Sequence, residues 1–134
     1  MAEQPLPRVH VAAGILRNND GSILIAECAQ SRSMQGYWEF PGGKVEARES
    51  AEAALGRELE EELGIVVVKA RHLHHLEYDY PERSVAIDFY LVSAWHGSPS
   101  GCEGQRLKWV SRNALRSQNL LPADAPVIEA LESS

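Results

Sequence analysis

One block of the chain, Ala51 to Leu63, is built almost wholly from strong helix formers, and segments with strand character surround it on both sides. Leu55, Leu59 and Leu63 recur every four residues and form one apolar seam. Ser50 is placed to cap the start of this helix and Gly64 to stop it. A helix with a single apolar seam must bury it against another layer, and the flanking segments predict a sheet.

Val9 to Leu16 reads as a strand, with Val11, Ala13 and Ile15 on one face. Asn18-Asn19-Asp20-Gly21 is a hairpin signal, so Ser22 to Ala26 is expected to return as its partner. Glu27 to Gly36 is polar and reads as a loop. Tyr37 to Phe40 is a short extended piece stopped by Pro41-Gly42-Gly43. After the helix, Ile65 to Val68 leads back into a sheet. His72 to Tyr80 and Ser84 to Ala94 read as two long strands joined at Pro81-Glu82-Arg83, and Leu107 to Val110 as a last short one. Asp124 is expected to cap a closing helix, with Pro126 in its first turn and Val127, Ile128 and Leu131 facing inward. Strands outnumber crossover helices, which excludes a parallel Rossmann-type sheet. The expected class is α+β, a mixed β-sheet between helices.

At 134 residues the chain suits one domain spanning 1–134. No apolar run approaches the roughly 18 residues of a membrane span, and the start shows no signal-peptide pattern. Two cysteines make no disulfide framework, so a reduced, cytoplasmic setting is the expectation. The net charge of −6 argues against gripping long nucleic acid by its phosphates. It leaves room for a nucleotide, provided divalent cations bridge the two sets of negative charge.

The acids are placed for that purpose. Glu58, Glu61 and Glu62 stand at i, i+3 and i+4, on one helical face. Like charges at this spacing cost roughly 0.2–0.5 kcal/mol each, and the helix dipole opposes anions near the C-terminal end. Hard oxygen ligands are what Mg²⁺ or Mn²⁺ requires. A solvated acidic face is the bland alternative. Against it stands Pro41-Gly42-Gly43-Lys44, where paired glycines admit close backbone approach and Lys44 offers a charge for phosphate.

From Gly43 the chain reads Gly43, five residues, Glu49, seven residues, then Arg57-Glu58-Leu59-Glu60-Glu61-Glu62-Leu63-Gly64-Ile65. This resembles the Nudix box, G-x5-E-x7-R-E-U-x-E-E-x-G-U with U apolar, at every defined position. WEFPGGKVE, LEYDYPERS, DFYLVSAWHG, CEGQ and LPADAPVIEAL resemble the MutT branch in the same order, from about Val9 to Leu131.

The resemblance implies an α/β/α sandwich and hydrolysis of a nucleoside triphosphate, 8-oxo-dGTP above all, to the monophosphate and pyrophosphate. It implies Mg²⁺, with Mn²⁺ as the alternative, held by Glu58, Glu61, Glu62, the Gly42 carbonyl and the distant acid Glu103. Glu103 is either a ligand or the general base, and Glu58 and Glu61 are further candidates for the base. Arg57 and Glu49 are expected to brace the loop against the helix through a bidentate ion pair. Gly43 and Lys44 would meet the phosphates, and Phe40, Tyr80, Arg83 and Asp124 the base.

Two departures bear on the base. Asp124 stands where the best-known MutT type has Asn, and Cys28 where that type has Arg. An amide donates and accepts, whereas an ionised carboxylate only accepts. The Pro122-Ala123-Asp124 run also resembles CTP pyrophosphohydrolases, so a CTP or modified-dCTP substrate is the rival. A nucleotide-sensing Nudix domain without catalysis is a third reading, disfavoured because no box acid is missing. The small size leans towards a monomer.

Overall fold

The computed structural model describes residues 8–28 and 36–132. Most of the expected loop at Glu27–Gly36 lies outside them. Strand β1 is Arg8–Leu16, β2 Ile23–Glu27, β3 Trp38–Glu39 and β4 Gly42–Lys44. Helix α1 is Ala51–Leu63, followed by β5 Val66–Asp79, β6 Ser84–His96 and β7 Leu107–Val110. A 3-10 helix at Arg112–Ser117 and the short α2 at Val127–Glu132 complete the described order.

Helix α1 has the bounds its sequence predicts. Ser50 Oγ accepts the Ala53 N–H at 3.0 Å, and the Gly64 N–H closes on the Glu60 carbonyl at 2.9 Å. Leu55, Leu59 and Leu63 are fully buried. Each contributes about 1.5–3 kcal/mol of burial free energy, far more than the repulsion among the acids beside the seam costs.

The strands form two sheets. The first has four strands in the order β4-β1-β6-β5, with β1 and β6 parallel and the other pairs antiparallel. The second has three, in the order β3-β2-β7, all antiparallel. Here the expected hairpin fails. The Asn18–Gly21 turn forms, with Gly21 N–H on the Asn18 carbonyl at 3.0 Å. Beyond the single bridge Arg17↔Ile23, however, β2 leaves β1 for the second sheet. Both edges of β1 are already taken, one by β4 and the other by β6.

Alternation along the strands sends side chains into two cores. Ala13, Ile15, Val85, Ile87 and Phe89 join Val127, Ile128 and Leu131 of α2. Ala12, Leu16, Tyr90 and Val92 pack on Leu55, Leu59 and Leu63 of α1. The mixed sheet therefore lies between the two helices. α2 begins at Val127, so Pro126 sits just before it. Among the described residues, no helix is long and apolar enough to cross a membrane.

The fold also gathers histidines that no sequence spacing linked. His10 Nε2 lies 2.6 Å from Asp88 Oδ2, while His72 Nε2 and His75 Nδ1 each lie 2.8 Å from Oδ1. Burial alone would raise the Asp88 carboxyl; the three imidazole contacts outweigh it and hold the group at about 2. Asp88 alternates with Val85 and Ile87, so this cluster faces away from the cleft described next.

Candidate active site

The Pro41-Gly42-Gly43-Lys44 segment is not a plain turn. Gly42–Lys44 is β4, paired with Ala13, Ala12 and Val11 of β1. Glycine is required at the first position, where backbone blocks a side chain, and at the second it lets the Glu58 carboxyl rest on the chain. A Cβ on Gly42 would lie 2.1 Å from the Ala12 carbonyl oxygen, and one on Gly43 would lie 2.3 Å from the Glu58 carboxyl. The helix acids therefore rest directly on this backbone. Glu62 accepts the Gly42 N–H at 3.0 Å.

Arg57 organises the acids. Its Nε and Nη2 bond the two oxygens of Glu49 at 2.8 and 2.9 Å. Nη1 bonds Glu58 at 2.9 Å, and Nη2 also reaches the Lys44 carbonyl at 3.0 Å. One guanidinium thus ties α1 to the loop before it and to the end of β4. It holds the Glu49 carboxyl at about 2, well below the ordinary carboxylate range. Glu61 differs from its neighbours. Its side chain is 57% exposed, with one oxygen 3.5 Å from Arg57 Nη1.

These residues border a cleft of about 480 Å³. One end carries Gly42, Gly43, Lys44, Glu46, Glu58, Glu62, Glu103 and Gln105. The other is walled by Cys28, Glu39, Phe40, Tyr80, Arg83, Leu121, Ala123 and Asp124. Every expected site residue except Glu49, Arg57 and Glu61 lines this cleft. Glu49 and Arg57 stand behind it through the ion pair, and Glu61 stands outside its lining.

At the acidic end, negative charge accumulates. Burial, then Glu39, Glu103 and Glu58, push the Glu62 carboxyl up to about 8. Glu103 sits on the loop before β7, its N–H donating to Gln105 Oε1 at 3.0 Å. Gln105 Nε2 in turn donates to the Glu62 carbonyl at 3.2 Å, which ties that loop to α1. Among the described residues, no three carboxylate, imidazole or thiol groups already close round a common ion. The donor set nonetheless fits a hard cation. Glu58 and Glu62 offer hard oxygen donors beside the Gly42-Gly43 backbone, and Mg²⁺ takes only part of its shell from protein.

The opposite end holds the main surprise. Asp124 is 4% exposed, and its Oδ2 accepts the Phe40 N–H at 3.0 Å. It does not cap α2. Backbone bonds from Trp38 N–H to Asn119 (2.8 Å) and from Leu121 N–H to Trp38 (2.9 Å) lay residues 119–121 along β3. Asp124 extends that ladder by one side-chain rung. Burial, then Glu39, push its carboxyl up to about 8. Tyr80 braces the same segment, its hydroxyl accepting the Ala123 N–H at 3.2 Å. Phe40 is 2% exposed and meets Phe89 edge-on at 6.2 Å, so it serves core and cleft together.

Sequence reasoning missed Glu39 and Gln105. Glu39 is a charged residue in a two-residue strand between two aromatics, which was the one available signal. Gln105 is visible only through its bond across to α1.

A family model for the NUDIX domain matches residues 7–131. The 8-oxo-dGTP diphosphatase of Haemophilus influenzae is 43% identical, covering 92% of this chain and 90% of that protein. The CTP pyrophosphohydrolase of Escherichia coli is 37% identical, covering 91% and 90%. A structure from work on MutT of Aliivibrio salmonicida and Vibrio cholerae superposes with a TM-score of 0.80 at 41% identity, covering 94% and 97%. The described fold, with its mixed sheet between helices, is the one these structures share, and the chain belongs to the Nudix hydrolase family.

Proposed function

We propose that this chain, as one domain over residues 1–134, is a nucleoside triphosphate pyrophosphohydrolase that converts 8-oxo-dGTP to 8-oxo-dGMP and pyrophosphate. The observation that carries this reading is the cleft itself: acids resting on a glycine backbone, continuous with a wall that holds Phe40, Tyr80 and Asp124. Nudix hydrolases generally require a divalent metal. Glu58, Glu61, Glu62 and the Gly42 carbonyl would hold it, as Mg²⁺ or Mn²⁺. When bound, it supplies charge for the phosphate oxygens and lowers the pKa of a water.

The chain's own residues do the rest. Lys44 meets the phosphates as a point charge. Arg57 and Glu49 fix Glu58 against Gly43, which sets the position of that acid before reaction. Glu103, carried on the loop opposite α1, takes the proton of the attacking water. Tyr80, Phe40, Arg83 and Asp124 receive the base. We place the protein in the cytoplasm, where nucleotide pools lie and where its two free cysteines stay reduced. We take it to act as a monomer, since one chain supplies the whole cleft.

A cytosine nucleotide is the second reading, favoured by the acid at position 124 and the thiol at position 28. The test is pyrophosphate release with Mg²⁺ from 8-oxo-dGTP, dGTP, CTP and 5-methyl-dCTP, compared as kcat/KM. A lead of 8-oxo-dGTP over dGTP by at least a hundredfold is expected. A lead by CTP or 5-methyl-dCTP replaces the substrate, and no turnover of any of them refutes the enzyme reading.

A further inference from the structure

Helix α1 ends in a way that its own residues do not complete. The last four carbonyls of an α-helix have no partner inside it. The Gly64 N–H serves Glu60, and the loop between β6 and β7, residues 97–106, serves two of the others. Ser100 N–H donates to the Leu63 carbonyl at 3.0 Å, and Cys102 N–H to the Glu62 carbonyl at 3.0 Å. These two backbone bonds dock the loop on the end of α1.

Within the loop, the Gly104 N–H closes on the Gly101 carbonyl at 2.9 Å. Glu103 is therefore the third residue of a tight four-residue turn, exposed and bordering the cleft. A Cβ on Gly101 would lie 2.1 Å from the Gln105 backbone carbonyl oxygen, so the turn folds directly onto the residue that follows it. A carboxylate on an exposed turn has little to hold it in one place.

Gln105 supplies the hold. Its Oε1 accepts the Glu103 N–H at 3.0 Å, and its Nε2 donates to the Glu62 carbonyl at 3.2 Å. The Glu62 carboxyl in turn accepts the Gly42 N–H at 3.0 Å. One planar amide thus spans from the backbone of the loop acid to the backbone of a helix acid whose side chain already rests on β4. The roles are fixed by the partners, since a peptide N–H only donates and a carbonyl only accepts. A carboxylate at position 105 would serve the first bond alone, and an ammonium the second alone.

Docking of the loop does not depend on this amide, because Ser100 and Cys102 achieve it through backbone. What Gln105 adds is a bond on the Glu103 peptide itself, and with it a set offset between Glu103 and Glu62. Offsets of this kind matter in a reacting site, where about 1 Å of misplacement costs about a hundredfold.

We propose that Gln105 is a positioning residue, whose side-chain amide fixes Glu103 against the α1 acids and which acts on the reaction only through Glu103. The proposal rests on the hydrolase reading of the cleft and goes beyond it by naming what sets the loop acid.

The test is Gln105→Met, which keeps the length and removes both bonds, made alone and in a Glu103→Ala background. Pyrophosphate release is followed with the nucleotide that wild type turns over fastest, beside a thermal melt and amide hydrogen exchange on the full chain. In Gln105→Met, kcat is expected to fall at least tenfold, with KM within threefold and the melting temperature within a few degrees of wild type. The Glu103 amide should exchange at least tenfold faster, while the Ser100 and Cys102 amides keep their protection. With Glu103→Ala already present, Gln105→Met should lower kcat by less than a further threefold, because effects that act through one group do not add. A raised KM with kcat unchanged would make Gln105 a substrate contact and overturn the proposal. A further tenfold loss in the Glu103→Ala background would give Gln105 a role of its own and overturn it too. So would a melting temperature lower by more than about 10 °C with all three amides unprotected, the mark of a tie that only holds the fold. If wild type turns over no nucleotide, the hydrolase reading falls, and exchange alone judges the clamp: it stands where the Glu103 amide loses protection and the other two do not, and falls otherwise.

Discussion

Adding one methyl group at Gly43 should separate activity from stability. The new Cβ would lie 2.3 Å from Glu58 Cδ and Oε2 and 2.7 Å from Oε1. Ordinary contact begins at about 3.5 Å, so the carboxylate must retreat by about 1.2 Å. It is the far end of a flexible side chain, so the fold can yield. What it gives up is the 2.9 Å bond to Arg57 Nη1. Both side chains are partly exposed, at 27% and 18%, which limits that loss to about 1 kcal/mol. For a domain of this size the melting temperature should fall by about 4 °C. Catalysis is less forgiving, because an ångström of misplacement costs about a hundredfold. Gly43→Ala should therefore melt nearly as wild type and lose about a hundredfold in kcat. The assay is pyrophosphate release at saturating substrate and Mg²⁺, beside a thermal melt. Activity within threefold of wild type would refute the claim that Glu58 must rest on the Gly43 backbone.

Two further outcomes follow from burial. Asp124 takes up a proton on folding, because its carboxyl rises from 3.8 to about 8. A raised acid makes the native state bind more protons than the unfolded one, so stability falls as pH climbs from about 4 to about 8. Urea melts across that range should show the decline in wild type and a shallower one in Asp124→Asn; parallel slopes would contradict it. Leu59, fully buried between α1 and β1, should cost about 2–5 kcal/mol as Leu59→Ala, read from the urea midpoint at constant slope.

Some of this was legible before any coordinates. Helix α1 could be read to the residue because cap, seam and stop are all local signals. The Arg57–Glu49 pairing was an expectation from the resemblance to the Nudix box, and the two side chains do meet. The β1–β2 hairpin misled because a turn signal reports only its own residues. Whether the strands stay paired depended on β4 and β6, which compete for the edges of β1 from 31 and 76 positions away (Ala12↔Gly43 and Ala12↔Asp88 are in register). Asp124 misled in the same way. A capping residue was the local expectation, but the Phe40 N–H, 84 positions distant, claims the carboxylate. Glu61 shared a helical face with Glu58 and Glu62, yet a face about one turn wide is broader than the cleft rim. Glu39 stayed hidden because a two-residue strand carries no periodicity to say which way a side chain points.

The ladder that lays residues 119–124 beside β3 has a consequence for how the protein can diversify. Most of the acidic end is carried by β4, α1 and the ties of Arg57, within residues 42–63, and the loop before β7 adds Glu103 and Gln105. The base wall is assembled from Cys28, Glu39, the β5–β6 turn and this late segment. The two ends join covalently through Glu39-Phe40-Pro41-Gly42 and otherwise come from separate stretches of the chain. If the cleft takes a nucleotide, substitutions at positions 28 and 124 change the wall that faces the base and leave the Arg57 ties to Glu49, Glu58 and Lys44 in place. Separate stretches of chain then set the two walls of one cleft, and one wall can vary without the other.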